Sequence, residues 1–208
     1  MAEYMSDEER LSRLRDWWSR NGAATVVGVV LAIVVVLGWR WYQGYADEQL
    51  TSAADAYAAY QSALGDEQRR LGDAIVAEHA GTAYPTFVLL AQAQAAVRGE
   101  DLAAAETALQ KAVTLATGPE LADIARLRLA RVQQAAKRGA DALTTLEQVR
   151  SVGMLSVARE LAGDIHLAEG DRKQAHEAYA AALKDLKTED QRGLLEAKLA
   201  DTADAADA

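Results

Sequence analysis

The sequence predicts an all-α chain, with one membrane-spanning helix at its N-terminal end followed by a solenoid of helix pairs. Three observations carry that expectation. Residues 22 to 39 hold no charged side chain. Small and apolar residues then recur at matching offsets in three successive segments. Outside the uncharged stretch, aromatic and β-branched residues are too sparse to suggest strands.

Residues 1–20 read as a short arm. Ser6-Asp7-Glu8-Glu9 has the Ser-x-x-Glu pattern of a capping box, so an amphipathic helix is expected over 7–20 with Leu11, Leu14, Trp17 and Trp18 on one face. The span follows over 21–42. An α-helix of that uncharged length covers about 27 Å, close to the ~30 Å hydrocarbon core. Trp17 and Trp18 on one flank and Trp39, Trp41 and Tyr42 on the other stand where interfacial aromatics belong. A cleavable signal peptide is the competing reading. Its apolar core is shorter, and the residues after this one, Trp39-Arg40-Trp41-Tyr42, make an uncleaved anchor the better fit. Within the span Ala24, Gly28 and Ala32 recur every fourth residue, a candidate packing face for another helix.

Arg10, Arg13, Arg15 and Arg20 precede the span, and Arg40 is the only basic residue between it and Arg69. The positive-inside rule therefore keeps the N-terminus in the cytoplasm and sends the rest across the membrane, which in a bacterium is the periplasm. The chain has no cysteine, which suits an oxidising compartment.

A polar juxtamembrane helix is expected over 43–66, broken by Gly65-Asp66. Beyond it the repeats begin, and a helical-repeat domain is expected over 67–200. Ala93, Ala105, Leu109 and Ala112 align with Ala130, Ala142, Leu146 and Val149, and with Gly163, Ala175, Tyr179 and Ala182; the offsets are 12, 16 and 19 in each, and the starts lie 37 and 33 residues apart. Those intervals bracket the 34 residues of a tetratricopeptide repeat. A small residue on the first helix of such a pair lets the second cross closely. Turn signals fall between helices at Gly99-Glu100-Asp101, Gly139-Ala140-Asp141 and Gly170-Asp171, the middle unit having its glycine displaced to Gly139. Pro85 and Pro119, the only two prolines, stand where helices should start. Residues 55–80 read as a divergent helix pair and 189–200 as a capping helix, since the end units of a solenoid are atypical. Residues 201–208 lack an apolar stripe and read as a disordered tail.

The formal charge of −9 belongs to the part beyond the membrane, because residues 1–40 balance five arginines against five acids. That disfavours nucleic acid, whose phosphates call for a basic face. Catalysis finds no support. His79, His166 and His176 form no helical metal pair, Glu189 and Asp190 are adjacent and point apart on a helix, and no phosphate-binding glycine loop or nucleophile elbow is present. No cofactor is expected. A concave groove lined by the first helix of each pair is the surface a repeat domain offers, and the alignment puts Gln94, Arg131, Gln134 and Asp164 toward it.

With anchor and repeats in place, the chain resembles the YfgM family, ancillary subunits of the SecYEG translocon in proteobacterial inner membranes. The resemblance is carried by Arg20-Asn21-Gly22, Gly28, Gly38-Trp39-Arg40, the stretch from Leu127 to Gln133 and that from Gly163 to Asp171. It implies a non-enzymatic single-pass protein whose periplasmic domain works beside a membrane-anchored prolyl-isomerase-like chaperone, helping secreted proteins fold. Two further readings stay open: a holdase that takes unfolded secretory chains directly, and an envelope-assembly scaffold unrelated to secretion.

Overall fold

A computed structural model describes residues 7–188 and 191–203. Ser6 of the expected capping box, Glu189-Asp190 and the tail beyond residue 203 lie outside the described residues. The described chain is helical throughout, with no strand. It divides into two compact units, Met1–Thr51 and Ser52–Ala208.

In the first unit every described residue belongs to α1, Asp7–Ser62. Among the described residues α1 is the one helix long and apolar enough to cross a membrane; its best window has a mean hydropathy of 2.5 and none of it is buried. Polar side chains at the start of the apolar stretch are bonded within the helix, Asn21 Nδ2 to the Trp17 carbonyl and Thr25 Oγ1 to the Asn21 carbonyl, so they carry little cost in an apolar setting. Trp17 packs against Trp18, and Trp41 stacks on Tyr45.

In the second unit the last turns of α1 lead into α2 (Gly65–Glu78), α3 (Tyr84–Arg98), α4 (Leu102–Leu115), α5 (Pro119–Ala135), α6 (Gly139–Leu146), α7 (Leu155–Ala168), α8 (Arg172–Asp185) and α9 (Arg192–Asp201). Each helix from α2 onward packs on the next, and α3 on α5 and α5 on α7, which is the nearest-neighbour pattern of a solenoid. Every one of the aligned repeat positions is buried, from Ala93 and Leu109 to Gly163 and Tyr179. One apolar cluster fills α3–α4–α5, a second α5–α6–α7, and a third joins α8 to Leu195 and Leu199 of α9. At the other end Tyr60, Ile75 and Val88 close the first pair, beside a run of rings from Tyr57 to Tyr84 and Phe87. Tyr57 and Tyr60, near the end of the expected juxtamembrane helix, thus pack against α2 and α3.

The turns differ from the expectation in an ordered way. The break after α1 falls at Ala63-Leu64, and Gly65 opens α2 instead of ending its predecessor. Between the helices of each repeat the left-handed residue is Glu100 (φ 61°), Lys137 (φ 62°) and Gly170 (φ 86°), at matching repeat positions. The next amide in each case reaches back five residues, Asp101 to Ala96, Arg138 to Gln133 and Asp171 to His166, all at 2.9 Å. This is the Schellman closure of a helix end. Gly139 therefore does not make the middle turn; it begins α6, where a Cβ would run into the Glu169 carboxylate and stand 3.2 Å from Cγ2 of Ile165.

Asp101 and Asp171 cap α4 and α8, accepting from the amides of Ala104 and Gln174. The middle repeat has Arg138 at that position, and its second helix is the short one. Val149 consequently lies beyond α6, in a loop, yet still in the core. Of the residues expected in the tail, Thr202 is fully buried, its hydroxyl 3.1 Å from Nδ1 of His176 and bonded to the Leu199 carbonyl.

Candidate functional site

α3 and α5 lie side by side with α4 behind them, and between them opens a cleft of about 300 Å³. Residues three or four apart share a helix face, so α3 contributes Leu90, Gln94 and Val97, and α5 contributes Arg128 and Arg131 on the facing wall. Leu109 of α4 forms part of the floor. Gln94 and Arg131 thus come together, both exposed. Gln134 is half-buried and stands outside this cleft.

Asp164, which occupies the same repeat position as Gln94 and Arg131, is committed elsewhere. Its carboxylate accepts from the Tyr179 hydroxyl at 2.8 Å and from Lys198 Nζ at 2.7 Å, and Lys198 also binds Glu160 at 2.7 Å. Through these bonds Asp164 ties α7 to α8 and to the capping helix α9. Burial pulls the Lys198 ammonium down, but its bonds to Asp164 and Glu160 outweigh that and hold it above the usual lysine range. Burial raises the Tyr179 phenol, and Asp164 raises it further.

Two buried polar groups tie α5 to its neighbours. Asp123 on α5 is fully buried and accepts the amides of Arg150 and Ser151 at 2.9 and 2.7 Å, together with Arg126 Nη1 at 2.7 Å. Burial alone would raise its carboxyl, yet the bonds from Ser151, Arg150 and Arg126 hold it below the usual range. The loop that follows the short α6 is pinned to α5 in this way. Gln133 bridges two elements, its amide reaching Glu106 on α4 while its carbonyl takes the Thr145 hydroxyl of α6 at 2.8 Å.

Arg128, Leu90 and Val97 were missed by sequence reasoning. The signal was present for Arg128, which lies one helical turn before Arg131. Ala24, Gly28 and Ala32 all face outward on α1, and a Cβ on Gly28 would meet nothing. Among the described residues no three histidines or carboxylates converge as a metal-holding group.

The geometry has counterparts among known proteins. The family model for a tetratricopeptide repeat-like domain matches residues 15–204. The chain is 33% identical over 185 residues to the ancillary SecYEG translocon subunit of Haemophilus influenzae, covering 88% of this chain and 91% of that protein. It is 31% identical to the protein of the same name from Aggregatibacter actinomycetemcomitans and 30% identical to that of Escherichia coli K12, over 88% of this chain and 91% and 90% of theirs. No solved structure matches. Similarity that runs from the arm through the span and all three repeats makes the chain a member of the YfgM family of ancillary SecYEG translocon subunits, with a tetratricopeptide repeat-like domain.

Proposed function

We propose that this chain is a non-enzymatic adaptor of the inner membrane that associates with the SecYEG translocon. The observation that carries the reading is the extent of the likeness: relatives named as ancillary translocon subunits align over 88% of the chain, span and repeats alike. In this reading residues 1–20 stay in the cytoplasm, 21–42 cross the bilayer, 43–66 continue as the juxtamembrane helix, and the repeat domain of 67–200 works in the periplasm. The arginine bias before the span supports that orientation. Ala24, Gly28 and Ala32 are the span's face toward the channel, and the repeat domain holds a membrane-anchored prolyl-isomerase-like chaperone near the emerging secreted chain. Confinement to one membrane raises the effective concentration of such a partner, so a modest contact suffices.

Photo-crosslinkers at Gly28 and at Gln94 test this in intact membranes. Adducts of SecYEG from the span and of a membrane-anchored chaperone from the cleft are the expected result. Many different secretory chains at Gln94, without a chaperone, would favour the direct holdase. Self-adducts or cell-wall machinery at both positions would overturn translocon association.

A further inference from the structure

Among the described residues neither Arg128 nor Arg131 has a carboxylate partner. Most other arginines of the domain do: Arg126 pairs with Asp123, Arg138 with Glu106 and Asp141, Arg159 with Asp185 and Arg172 with Asp201; among the described residues Arg98 and the Arg150 guanidinium are further exceptions, but they do not stand one turn apart beside an apolar cleft. The contrast is not for want of acids, since the chain as a whole carries a formal charge of −9. Arg128 and Arg131 are also one turn apart on one exposed face, where like charges disfavour each other. Across from them are the Gln94 amide and the apolar groups of Leu90 and Val97, the latter 44% exposed. Two uncompensated cations beside an apolar floor complement a group that is acidic and apolar at once. A bulk polyanion fits less well, because the cleft admits a side chain or two and the surrounding domain is acidic.

We infer that the α3–α5 cleft docks an acidic amphipathic segment of a partner protein, seating an apolar side chain against Leu90, Val97 and Leu109 and pairing its carboxylates with Arg128 and Arg131. The inference rests on the adaptor reading and supplies the chemistry of its contact. Because both guanidinium groups are exposed, their contribution is screened by salt, and affinity falls as ionic strength rises.

The test uses the full chain in neutral maltoside micelles and the fluorescence anisotropy of a short labelled peptide of mixed leucine, glutamate and aspartate. Its twin carries lysine in place of every acid. The acidic peptide binds and the twin does not; R128E/R131E weakens binding by about tenfold or more, and V97D weakens it as well. K173E/K184E on α8, an equal change of charge outside the cleft, leaves binding unchanged. Equal binding of the twin, or an R128E/R131E chain that is still helical by circular dichroism and binds like wild type, overturns the inference. So does capture of anionic vesicles through the same arginines in preference to the peptide. Co-purification with SecYEG is read in parallel: a wild-type chain that fails to bring down the channel counts against the adaptor reading, whatever the peptide does.

Discussion

The Tyr179 ring lies against Gly163 so closely that a Cβ there would stand 2.6 Å from Cδ1 and 3.0 Å from Cζ. The equivalent pairs in the other repeats are Ala93 with Leu109 and Ala130 with Leu146, each buried in a shared cluster. The third repeat has exchanged a small–medium pair for a smallest–large one, and the glycine is there for the ring. Gly163→Ala is therefore expected to destabilise the repeat domain by about 1–3 kcal/mol, the usual range for an overpacked core. Adding Tyr179→Leu should recover part of that loss, because it recreates the pairing used twice already, although the bond to Asp164 is given up. Thermal unfolding of the two single variants and the double closes the cycle, and additive losses would contradict this account.

The recurrent left-handed turn makes a second prediction. Gly170 adopts its φ freely, whereas Glu100 and Lys137 hold the same conformation with a Cβ in place. Gly170→Ala should cost about 1 kcal/mol. Lys137→Gly should gain a few tenths of that, since relief of the left-handed strain is offset in part by a more flexible unfolded chain. Urea unfolding of both variants reads the difference; a Lys137→Gly chain less stable than wild type would show that this turn is not strained.

Asp123 should make part of the stability sensitive to acid. Its folded carboxyl titrates below the unfolded value of 3.8, so the contribution is complete above that value and disappears as pH falls from there through the lower folded value. Asp123→Asn is expected to cost about 2–3 kcal/mol near neutral pH, since it weakens charge-assisted bonds in a buried site and frees the loop after α6. Below about pH 4 the gap between variant and wild type narrows, because the unfolded wild-type carboxyl then takes up a proton that folding must expel. Parallel unfolding curves at pH 7 and pH 3 measure it, and an unchanged gap would put the loop's anchor elsewhere.

What the sequence discloses follows from the range of the interaction. The repeat register was legible because Ala93, Ala105, Leu109 and their counterparts sit in a fixed local pattern that burial demands. Asp123 was not legible, as its partners are backbone amides at residues 150 and 151, which a sequence presents as featureless. The bonds of Asp164 were hidden for a related reason. Its position in the alignment is that of Gln94 and Arg131, but Tyr179 and Lys198 reach it only once α8 and α9 have folded back on α7. Composition also misdirected the middle turn, where Gly139 drew attention while Lys137 took the left-handed conformation.

The span offers a prediction with a threshold. Ten of the residues from 22 to 39 are valine, leucine or isoleucine, which together favour insertion by roughly 3–6 kcal/mol. One arginine near the centre of a transmembrane helix opposes insertion by about 2.5–3.5 kcal/mol. Val30→Arg alone is then expected to leave much of the chain in the membrane, since the remaining apolar residues still outweigh it and the long side chain can snorkel toward an interface. Val30→Arg combined with Val34→Arg exceeds the available driving force, and the chain should move to the soluble fraction on alkaline carbonate extraction. Far-ultraviolet circular dichroism of that soluble chain should retain strong helical signal, because the clusters that hold α3 to α9 involve no residue of the first unit. A doubly substituted chain that still resists extraction would mean that something other than this helix holds the protein to the bilayer.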